Sequence, residues 1–303
     1  MNFIAYLLFR LLVFIFRLLP FRVLYMLSDV LYILIYHIAK YRKKTVISNL
    51  KRSFPAKTGT EINTIAKQFY HFLADITLES IKGFSMTPKQ VKARHKVNNP
   101  EMIDDLYNNH QSVIMVSGHY GNWEWGSLSG GLQLKHSMAV FYKPVKNKFI
   151  DNYLREKRAT FFSELIPLPK TYKAFEKHTE KPYVYIMVAD QSPSKLVKSY
   201  WVDFLNQDTA CIHGPEMYAR KFGIPVYYFD IQRVKRGFYE VNFVEIAIDP
   251  QSLSEGEVTA RFMKVLERKI NEKPQYWLWS HKRWKRTRAD IQQKQLRHIT
   301  NLA

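Results

Sequence analysis

The sequence predicts an α/β fold in which a mostly parallel sheet is flanked by helices, preceded by a hydrophobic N-terminal region that anchors the chain to a membrane. Short apolar runs alternate with helix-length segments through residues 113–231, as in parallel sheets that are covered on both faces. The first 39 residues are mostly apolar, and the formal net charge of the 303-residue chain is +20. A positive excess of this size indicates an anionic partner.

The alternation defines the elements of the predicted sheet. Candidate strands lie at 113–117, 139–142, 183–189 and 225–231, and helical patterns lie at 122–134, 148–162, 170–179, 215–222 and 257–272. Residues 233–237 predict a turn that joins two strands into a hairpin at one edge. Ligand sites of such sheets form beyond the carboxyl ends of the strands. Residues that directly follow a strand are therefore the first candidates for a site.

The N-terminal region divides at Pro20 into two apolar segments. Residues 3–19 are apolar except for Arg10 and Arg17, and as a helix they would rise about 25 Å, slightly less than the hydrocarbon core of a bilayer. Residues 21–39 form a second, less uniform run. A single span, a helical hairpin, a helix lying in the membrane interface and a buried helix of a soluble domain all fit this pattern.

The basic cluster at residues 40–44 follows the second run at once. Positive charge next to an apolar segment favours the cytoplasmic side, so we expect the rest of the chain to face the cytoplasm at the inner (plasma) membrane. The predicted organisation is a membrane anchor at 1–39, a helical N-terminal region at 40–100, an α/β catalytic domain at 101–288 and a polar tail at 289–303. The helical region is predicted from the apolar spacing within 61–82.

Several classes of partner are excluded by the motifs that the chain lacks. The sequence contains no zinc-finger spacing, RNA-recognition signature or phosphate-binding loop, so the positive charge favours an anionic membrane or an acidic protein over nucleic acid. A single cysteine, Cys211, excludes an internal disulfide and a cysteine metal cluster. No metal is predicted, because the histidines and acids do not show ligand spacing.

The strongest candidate site follows the strand predicted at 113–117. His119 and Glu124 are five residues apart, so they meet only if the chain turns between them. Gly121 permits that turn, and Asn122 can cap a helix whose first turn contains Glu124. An ionised Glu124 would orient His119, whose other ring nitrogen would then take a proton from a hydroxyl group.

These residues also carry a resemblance to a known family. The segment Gly-His-Tyr-Gly-Asn-Trp-Glu ending at Glu124 is similar to the His-x4-acid signature of the glycerolipid acyltransferase superfamily, and most resembles the branch of bacterial lipid A (Kdo2-lipid A) secondary acyltransferases. Further segments follow in family order: Arg42 with 46–55, Tyr142-Lys-Pro with Asn147, Arg158, Asp190-Gln191, and the tryptophan-rich stretch 274–285.

The resemblance implies a glycerolipid acyltransferase-like fold and an O-acyltransferase of the membrane. It implies transfer of a fatty acyl chain from acyl carrier protein or coenzyme A to a hydroxyl group of a lipid A precursor, with that thioester as co-substrate and no other cofactor. The implied partners are the carrier thioester and an anionic membrane lipid. The implied site residues are catalytic His119 and Glu124 and substrate-binding Asn122, Lys143, Arg158, Asp190 and Gln191.

Other functions remain open at the level of sequence. Lys143 replaces a more usual Arg and 204–206 reads Phe-Leu-Asn in place of Phe-Phe-Gly, which leaves a lysophospholipid or an amino-acid lipid as alternative acceptors. A serine hydrolase using Ser127 or Ser129 is disfavoured, because the centre of 126–130 is leucine. A non-catalytic basic protein that binds membranes would use the histidine and glutamate only structurally.

Overall fold

The computed structural model describes residues 2–177, 180–194, 196 and 199–289. Apart from residue 289, the predicted polar tail lies outside the described residues, as does the end of the helix predicted at 170–179. The α-helices are α1 (Asn2–Leu18), α2 (Phe21–Ile33), α3 (Lys43–Ser53), α4 (Gly59–Gly83), α5 (Pro88–Arg94), α6 (Asp104–Asn108), α7 (Trp123–Gln133), α8 (Lys148–Ala159), α9 (Thr171–Lys177), α10 (Gly214–Phe222) and α11 (Glu257–Glu272). The strands are β1 (His95–Val97), β2 (Val113–Ser117), β3 (Ser137–Tyr142), β4 (Ser163–Pro167), β5 (Tyr183–Val188), β6 (Tyr200–Asp203), β7 (Asp208–Cys211), β8 (Val226–Lys235) and β9 (Phe238–Ala247).

Seven strands form the main sheet, in the order β1-β9-β8-β2-β5-β3-β4. The five strands from β8 to β4 run parallel to one another, whereas β9 returns antiparallel to β8. The predicted hairpin is therefore confirmed, but it does not form the edge of the sheet, because β9 pairs in parallel with β1 and β1 forms that edge. The predicted fold class, a mostly parallel sheet flanked by helices, is confirmed.

The central strand β2 is buried on both faces. Ile114 and Val116 belong to the core that α4 and α11 cover, whereas Val113 and Met115 belong to the core that contains Trp125 of α7. A strand that is covered on both faces reads as a continuous apolar run without alternation. This explains why residues 113–117 were recognisable as a strand from the sequence.

The region predicted to be helical at 40–100 also supplies a strand. Thr58 and Glu61 form a capping box that starts α4, and Thr87 and Gln90 form another that starts α5. After α5 the chain enters β1 at His95 and joins the sheet edge. Three residues are too few for a periodic pattern, so this strand was not predicted.

The N-terminal segments are helical, as predicted, with a break at Pro20 between α1 and α2. The second helix continues without interruption into a π-helical turn, Leu34–Ile38. Within the described residues, Phe21–Ile38 is the one segment that is long and apolar enough to cross a membrane, and 17% of it is buried.

The departure at 204–206 lies in the hairpin between β6 and β7. Phe204 and Gln207 exchange two backbone hydrogen bonds, and Leu205 and Asn206 both have positive φ, 52° and 59°. A two-residue turn with positive φ at both positions favours Gly or Asn, so Asn206 suits the place where the resembling family has glycine. Its side-chain amide donates to the Ser53 carbonyl oxygen, which ties the hairpin to α3.

Candidate active site

A sharp turn after β2 presents His119. Gly121 has φ +62°, and a Cβ there would lie 2.6 Å from the Ile231 carbonyl oxygen, so the turn requires glycine. The Asn122 side chain then accepts a hydrogen bond of 2.9 Å from the Trp125 amide and caps α7. The predicted strand, turn and helix around the histidine are thus confirmed.

Asp190 is the carboxylate that binds the histidine ring. It follows β5, which pairs in parallel with β2 so that Ser117 lies opposite Val188, and both chains leave the sheet side by side. The distance from His119 Nδ1 to Asp190 Oδ1 is 2.6 Å, and the His119 backbone amide donates to Asp190 Oδ2 at 2.8 Å. The aspartate is 2% exposed, so the pair is screened from solvent on the aspartate side.

Electrostatics fix the protonation of the pair. Burial opposes ionisation of Asp190, but the charge and hydrogen bonds of His119 prevail and lower the pKa of the carboxyl to about 2. Burial would lower the pKa of His119, yet the neighbouring Asp190 carboxylate outweighs it and raises that pKa above its usual value. An ionised Asp190 only accepts hydrogen bonds, so Nδ1 carries a proton, and when the ring is neutral the lone pair lies on Nε2.

Gln191 contacts that second nitrogen. Its side-chain Nε2 lies 3.1 Å from His119 Nε2, a geometry in which the amide donates to the imidazole lone pair. His119 Nε2, the atom that would exchange a proton with a substrate, therefore binds the neutral side chain of Gln191. A substrate hydroxyl group can replace that side chain.

The C-terminal segment 277–281 contacts the site through three hydrogen bonds. The Trp277 indole donates to Asp190 Oδ2 at 2.8 Å, and the Leu278 amide donates to the His119 carbonyl oxygen at 3.1 Å. His281 accepts a hydrogen bond from the Ser192 amide, and burial lowers its pKa to about 4, so it is neutral at physiological pH. Residues from three distant parts of the chain thus converge on one histidine.

A groove of about 430 Å³ runs from this site towards the N-terminal helices, a volume typical of small-molecule sites. Gln191 and His281 line its inner end, Leu73 and Thr77 of α4 line its wall, and Leu31 and Ile35 line the end formed by the second N-terminal segment. The groove therefore extends from the second N-terminal segment to Gln191, the residue that contacts His119 Nε2.

Comparison with known proteins identifies the family of the chain. A model of the bacterial lipid A biosynthesis acyltransferase family matches residues 2–286. The chain belongs to this family. The lipid A biosynthesis lauroyltransferase of Escherichia coli (strain K12) is 24% identical over 269 residues, which cover 88% of this chain and 87% of that relative. The protein is therefore an acyltransferase, and its family supports transfer onto a lipid A-type acceptor.

In the structure of this acyltransferase the Glu124 side chain binds Arg158, and its charge acts on His119 only from a distance. Glu124 Oε2 lies 2.6 Å from Arg158 Nη2, and the two side chains are 35% and 12% exposed. Glu124 lies in the first turn of α7, and its carboxylate contacts Arg158 of α8. Asp190 instead follows β5, the strand that pairs with the strand before His119. Arg158 accordingly holds Glu124, and the place assigned to Glu124 beside the imidazole is taken by Asp190.

Two predicted substrate-binding residues lie elsewhere. Asn122 is fully buried, and its amide nitrogen donates to Glu79 Oε2 at 2.7 Å, so both ends of its side chain serve the turn rather than a substrate. Lys143 is exposed after β3. Within the part of the chain that the structure describes, no recorded contact joins Lys143 to the histidine site.

A serine nucleophile does not fit the structure. Ser129 Oγ lies 2.7 Å from His95 Nδ1, but both residues are completely buried. Ser127 donates to the Glu124 carbonyl oxygen and is 5% exposed. A substrate would reach neither hydroxyl without unfolding α7, so the hydrolase alternative has no accessible serine in this motif.

Sequence reasoning missed the contributions of Trp277 and His281. Trp277 is buried, at 3% exposure. A buried indole N–H needs an acceptor, and that requirement is the one signal that could have directed attention to a carboxylate partner. Nothing in the spacing identifies Asp190, 87 residues away, as that partner.

Proposed function

We propose that this acyltransferase moves a fatty acyl chain from a thioester of acyl carrier protein or coenzyme A to a hydroxyl group of a lipid A precursor. The observation that supports the proposal is the pair of His119 and the buried Asp190, which leaves His119 Nε2 as a base beside Gln191, a residue that lines the groove. The acceptor hydroxyl is the nucleophile, so no acyl-enzyme is formed.

The reaction begins when the acceptor hydroxyl displaces Gln191 from His119 Nε2. The hydroxyl proton moves to Nε2 as the oxygen attacks the thioester carbonyl carbon. Asp190 stabilises the imidazolium that results, and the Trp277 N–H and the His119 backbone N–H keep Asp190 ionised. A base of this type contributes about 10²- to 10⁴-fold to the rate.

Collapse of the tetrahedral intermediate breaks the carbon–sulfur bond. The departing thiolate takes the proton from Nε2, which restores neutral His119 and releases the ester. The intermediate needs hydrogen-bond donors for its oxyanion. The backbone amide of Gly121 already donates to the Tyr276 carbonyl oxygen, so the displaced Gln191 amide is a better placed donor.

Positive charge near the groove suits both substrates. A surface cavity of about 860 Å³ is lined by the basic residues of 40–44 and by Lys51 and Arg52 of α3. Arg42 lines both this cavity and the groove. Phosphate groups of a lipid A-type acceptor, or acidic side chains of a carrier protein, would be attracted here.

The N-terminal helices support attachment to the cytoplasmic face of the inner membrane. They carry most of the large apolar side chains that are exposed in the described residues, and the basic cluster follows them directly. Exposed apolar patches of this kind mark interaction with a membrane or a partner, and the flanking cations favour an anionic leaflet.

The test is the intact mass of membrane lipids in a bacterial strain that lacks its own late lipid A acyltransferases. Wild-type protein should add one acyl mass to a single lipid, and His119→Ala and Asp190→Asn should lose nearly all of it. A lipid profile that wild-type protein leaves unchanged, together with no ester formed by purified enzyme from acyl-carrier and acyl-coenzyme A donors, would exclude this function.

A further inference from the structure

Helix α1 is attached to the body of the protein along its length. Near its start the ring of Phe3 packs edge-on against Phe149 of α8, with centroids 5.5 Å apart. In its middle the Arg10 guanidinium lies 4.9 Å from the centre of the Tyr153 ring. Near its end Phe16 is buried. These contacts recur at helical spacing, so one face of α1 packs against the rest of the protein.

Lys82 of α4 fastens the end of this helix. Its ammonium group is buried and donates to the carbonyl oxygens of Phe16, Arg17 and Leu19 at 2.6, 3.2 and 2.8 Å. These are among the carbonyls that a helix end leaves without intrahelical partners. If α1 left the body to cross a bilayer, both the ammonium group and the carbonyls would lose these bonds in a low-dielectric setting.

Helix α2 is attached by buried polar bonds. Tyr25 donates to Glu79 at 2.8 Å and Ser28 donates to Asp75 at 2.6 Å, and in the π-helical turn Tyr36 is buried. The two carboxylates are 0% and 2% exposed, so they belong to the interior of the protein. The segment that could cross a membrane by its length is thus fixed to the body from its first turn to its last.

The opposite face of both helices is apolar and open. Leu8, Met26 and Ile38 are 62%, 67% and 69% exposed. Apart from Phe3, which packs on Phe149, the other large apolar side chains exposed on α1, α2 and the π-helical turn are Ile4, Leu7, Leu11, Leu12, Phe14, Ile15, Leu18, Val23, Leu27, Val30, Ile33 and Leu34. A face of this size needs a partner.

We propose that α1, α2 and the π-helical turn lie in the plane of an anionic bilayer and do not cross it. This inference rests on the membrane attachment proposed above. The partner is a lipid leaflet because the apolar face is flanked by the exposed cations Arg17 and Arg22 and followed by the basic cluster 40–44. Such side chains extend to lipid phosphates while the apolar face enters the acyl boundary by about 5–10 Å.

The orientation can be measured by the depth of spin labels in vesicles. The full chain with Cys211→Ser would carry one labelled cysteine at a time, at Ile4, Leu11, Leu18, Met26 or Ile33, and would be bound to vesicles of phosphatidylethanolamine and phosphatidylglycerol. All five labels should report a similar, shallow depth. A label at the bilayer centre flanked by labels near opposite surfaces would show that a helix spans, and would overturn the proposal.

Charge substitutions provide an independent measurement. Leu8→Glu combined with Met26→Glu places two carboxylates on the open face without touching the buried one, and should weaken vesicle binding at least tenfold. Ile248→Glu, at a 49% exposed apolar position on another surface, is the matched control and should bind as wild type. Equal vesicle binding by wild type, the double variant and Ile248→Glu, with unchanged circular dichroism, would overturn the proposal that this face binds the bilayer.

Failure of this inference is distinct from failure of the proposed reaction. Acyl transfer to an acceptor dispersed in detergent reports on His119 and Asp190 whatever the helices do. Spanning labels with intact transfer would overturn only the in-plane arrangement, and shallow labels without transfer would overturn only the reaction.

Discussion

At the scale of single residues, the site depends on the bond between His119 and Asp190. The bond fixes the tautomer of the ring, and the Trp277 indole and the His119 amide both donate to the same carboxylate. An amide at position 190 keeps the shape of the side chain but removes the charge that stabilises the imidazolium.

We therefore expect Asp190→Asn to lower kcat by about 10²- to 10⁴-fold with little change in the melting temperature. Glu124→Gln, which changes the partner of Arg158, is the matched control and should be clearly less damaging. Steady-state kinetics with a purified acyl donor measure both. A large loss of kcat in Glu124→Gln, together with a wild-type kcat in Asp190→Asn, would return the orienting role to Glu124.

The pH dependence follows from the raised pKa of His119. The base is active when neutral, so activity falls as pH drops through that pKa, and a raised pKa places the acid limb at higher pH than an ordinary histidine would. Removing the Asp190 charge lowers the pKa of His119. In Asp190→Asn the acid limb of the kcat/KM profile should therefore move to lower pH, and the maximum value of kcat/KM should be lower than in wild type.

The residue scale also shows what the sequence can reveal of the site. The turn at Gly121 and the cap at Asn122 are local, so they could be predicted from neighbouring residue types. The partner of His119 is 71 residues away, and the spacing of one motif contains no information about it. The resemblance brought Asp190 and Gln191 to the site, although it placed them among substrate-binding residues.

At the scale of elements, helix α3 holds the C-terminal segment in place. The Asn49 side-chain amide donates to the carbonyl oxygens of Trp279 and His281, both at 3.0 Å. The same segment carries Trp277, whose indole binds Asp190. A residue outside the predicted catalytic domain thus holds the segment whose Trp277 indole binds Asp190.

Asn49→Ala should leave two carbonyl oxygens without that donor and destabilise the protein by about 1–3 kcal/mol. It should also lower kcat, because the Trp277 indole is less firmly placed, while leaving KM for the thioester nearly unchanged. Ser48→Ala, at an exposed position on the same helix, is the control. Thermal unfolding and kinetics on both variants check the prediction; a kcat equal to that of wild type would contradict it.

The elements with long or fully apolar patterns were predictable, whereas the short ones were not. The predicted helix at 257–272 coincides with α11, and the strand at 113–117 coincides with β2. Strands β1 and β4 have three and five residues, and such edge strands depend on pairing with neighbours that no local pattern reveals.

At the scale of the whole molecule, the groove extends from Leu31 and Ile35 of the second N-terminal segment to Gln191, which contacts the proposed base His119. Leu73 projects from α4 into its wall. Each methylene of a chain bound there contributes about 0.8 kcal/mol, so the depth of the groove should set the preferred acyl length.

Leu73→Trp should shorten the groove and shift preference to shorter donors. A chain that loses contact for two methylenes should lose about tenfold in kcat/KM, while the shortest donors remain good substrates. Ala159→Trp, at an exposed position beside a separate cavity, is the control. Competition among acyl donors of graded length checks this prediction. An unchanged preference for donor length would exclude the groove as the binding site of the donor chain. A change confined to the KM of the acceptor would show that the groove binds an acyl chain of the acceptor.

The net charge of +20 should make binding to anionic vesicles sensitive to salt. Raising ionic strength shortens the Debye length to about 3 Å at 1 M, so association with phosphatidylglycerol vesicles should weaken severalfold. Association with zwitterionic vesicles should change little. Sedimentation of the protein with each vesicle type across a salt series tests this prediction. Salt-independent binding to both vesicle types would show that the net charge does not contribute to membrane binding.

The Trp277–Asp190 bond has a consequence for the order of synthesis. The ribosome releases the N-terminal helices, the histidine turn and Asp190 long before Trp277, so a nascent chain can attach to lipid and assemble most of its sheet while its base still lacks one supporting donor. The proposed base gains this donor only after the segment around Trp277 has been translated. A chain that ends before Trp277 should therefore be a poorer catalyst than the full chain.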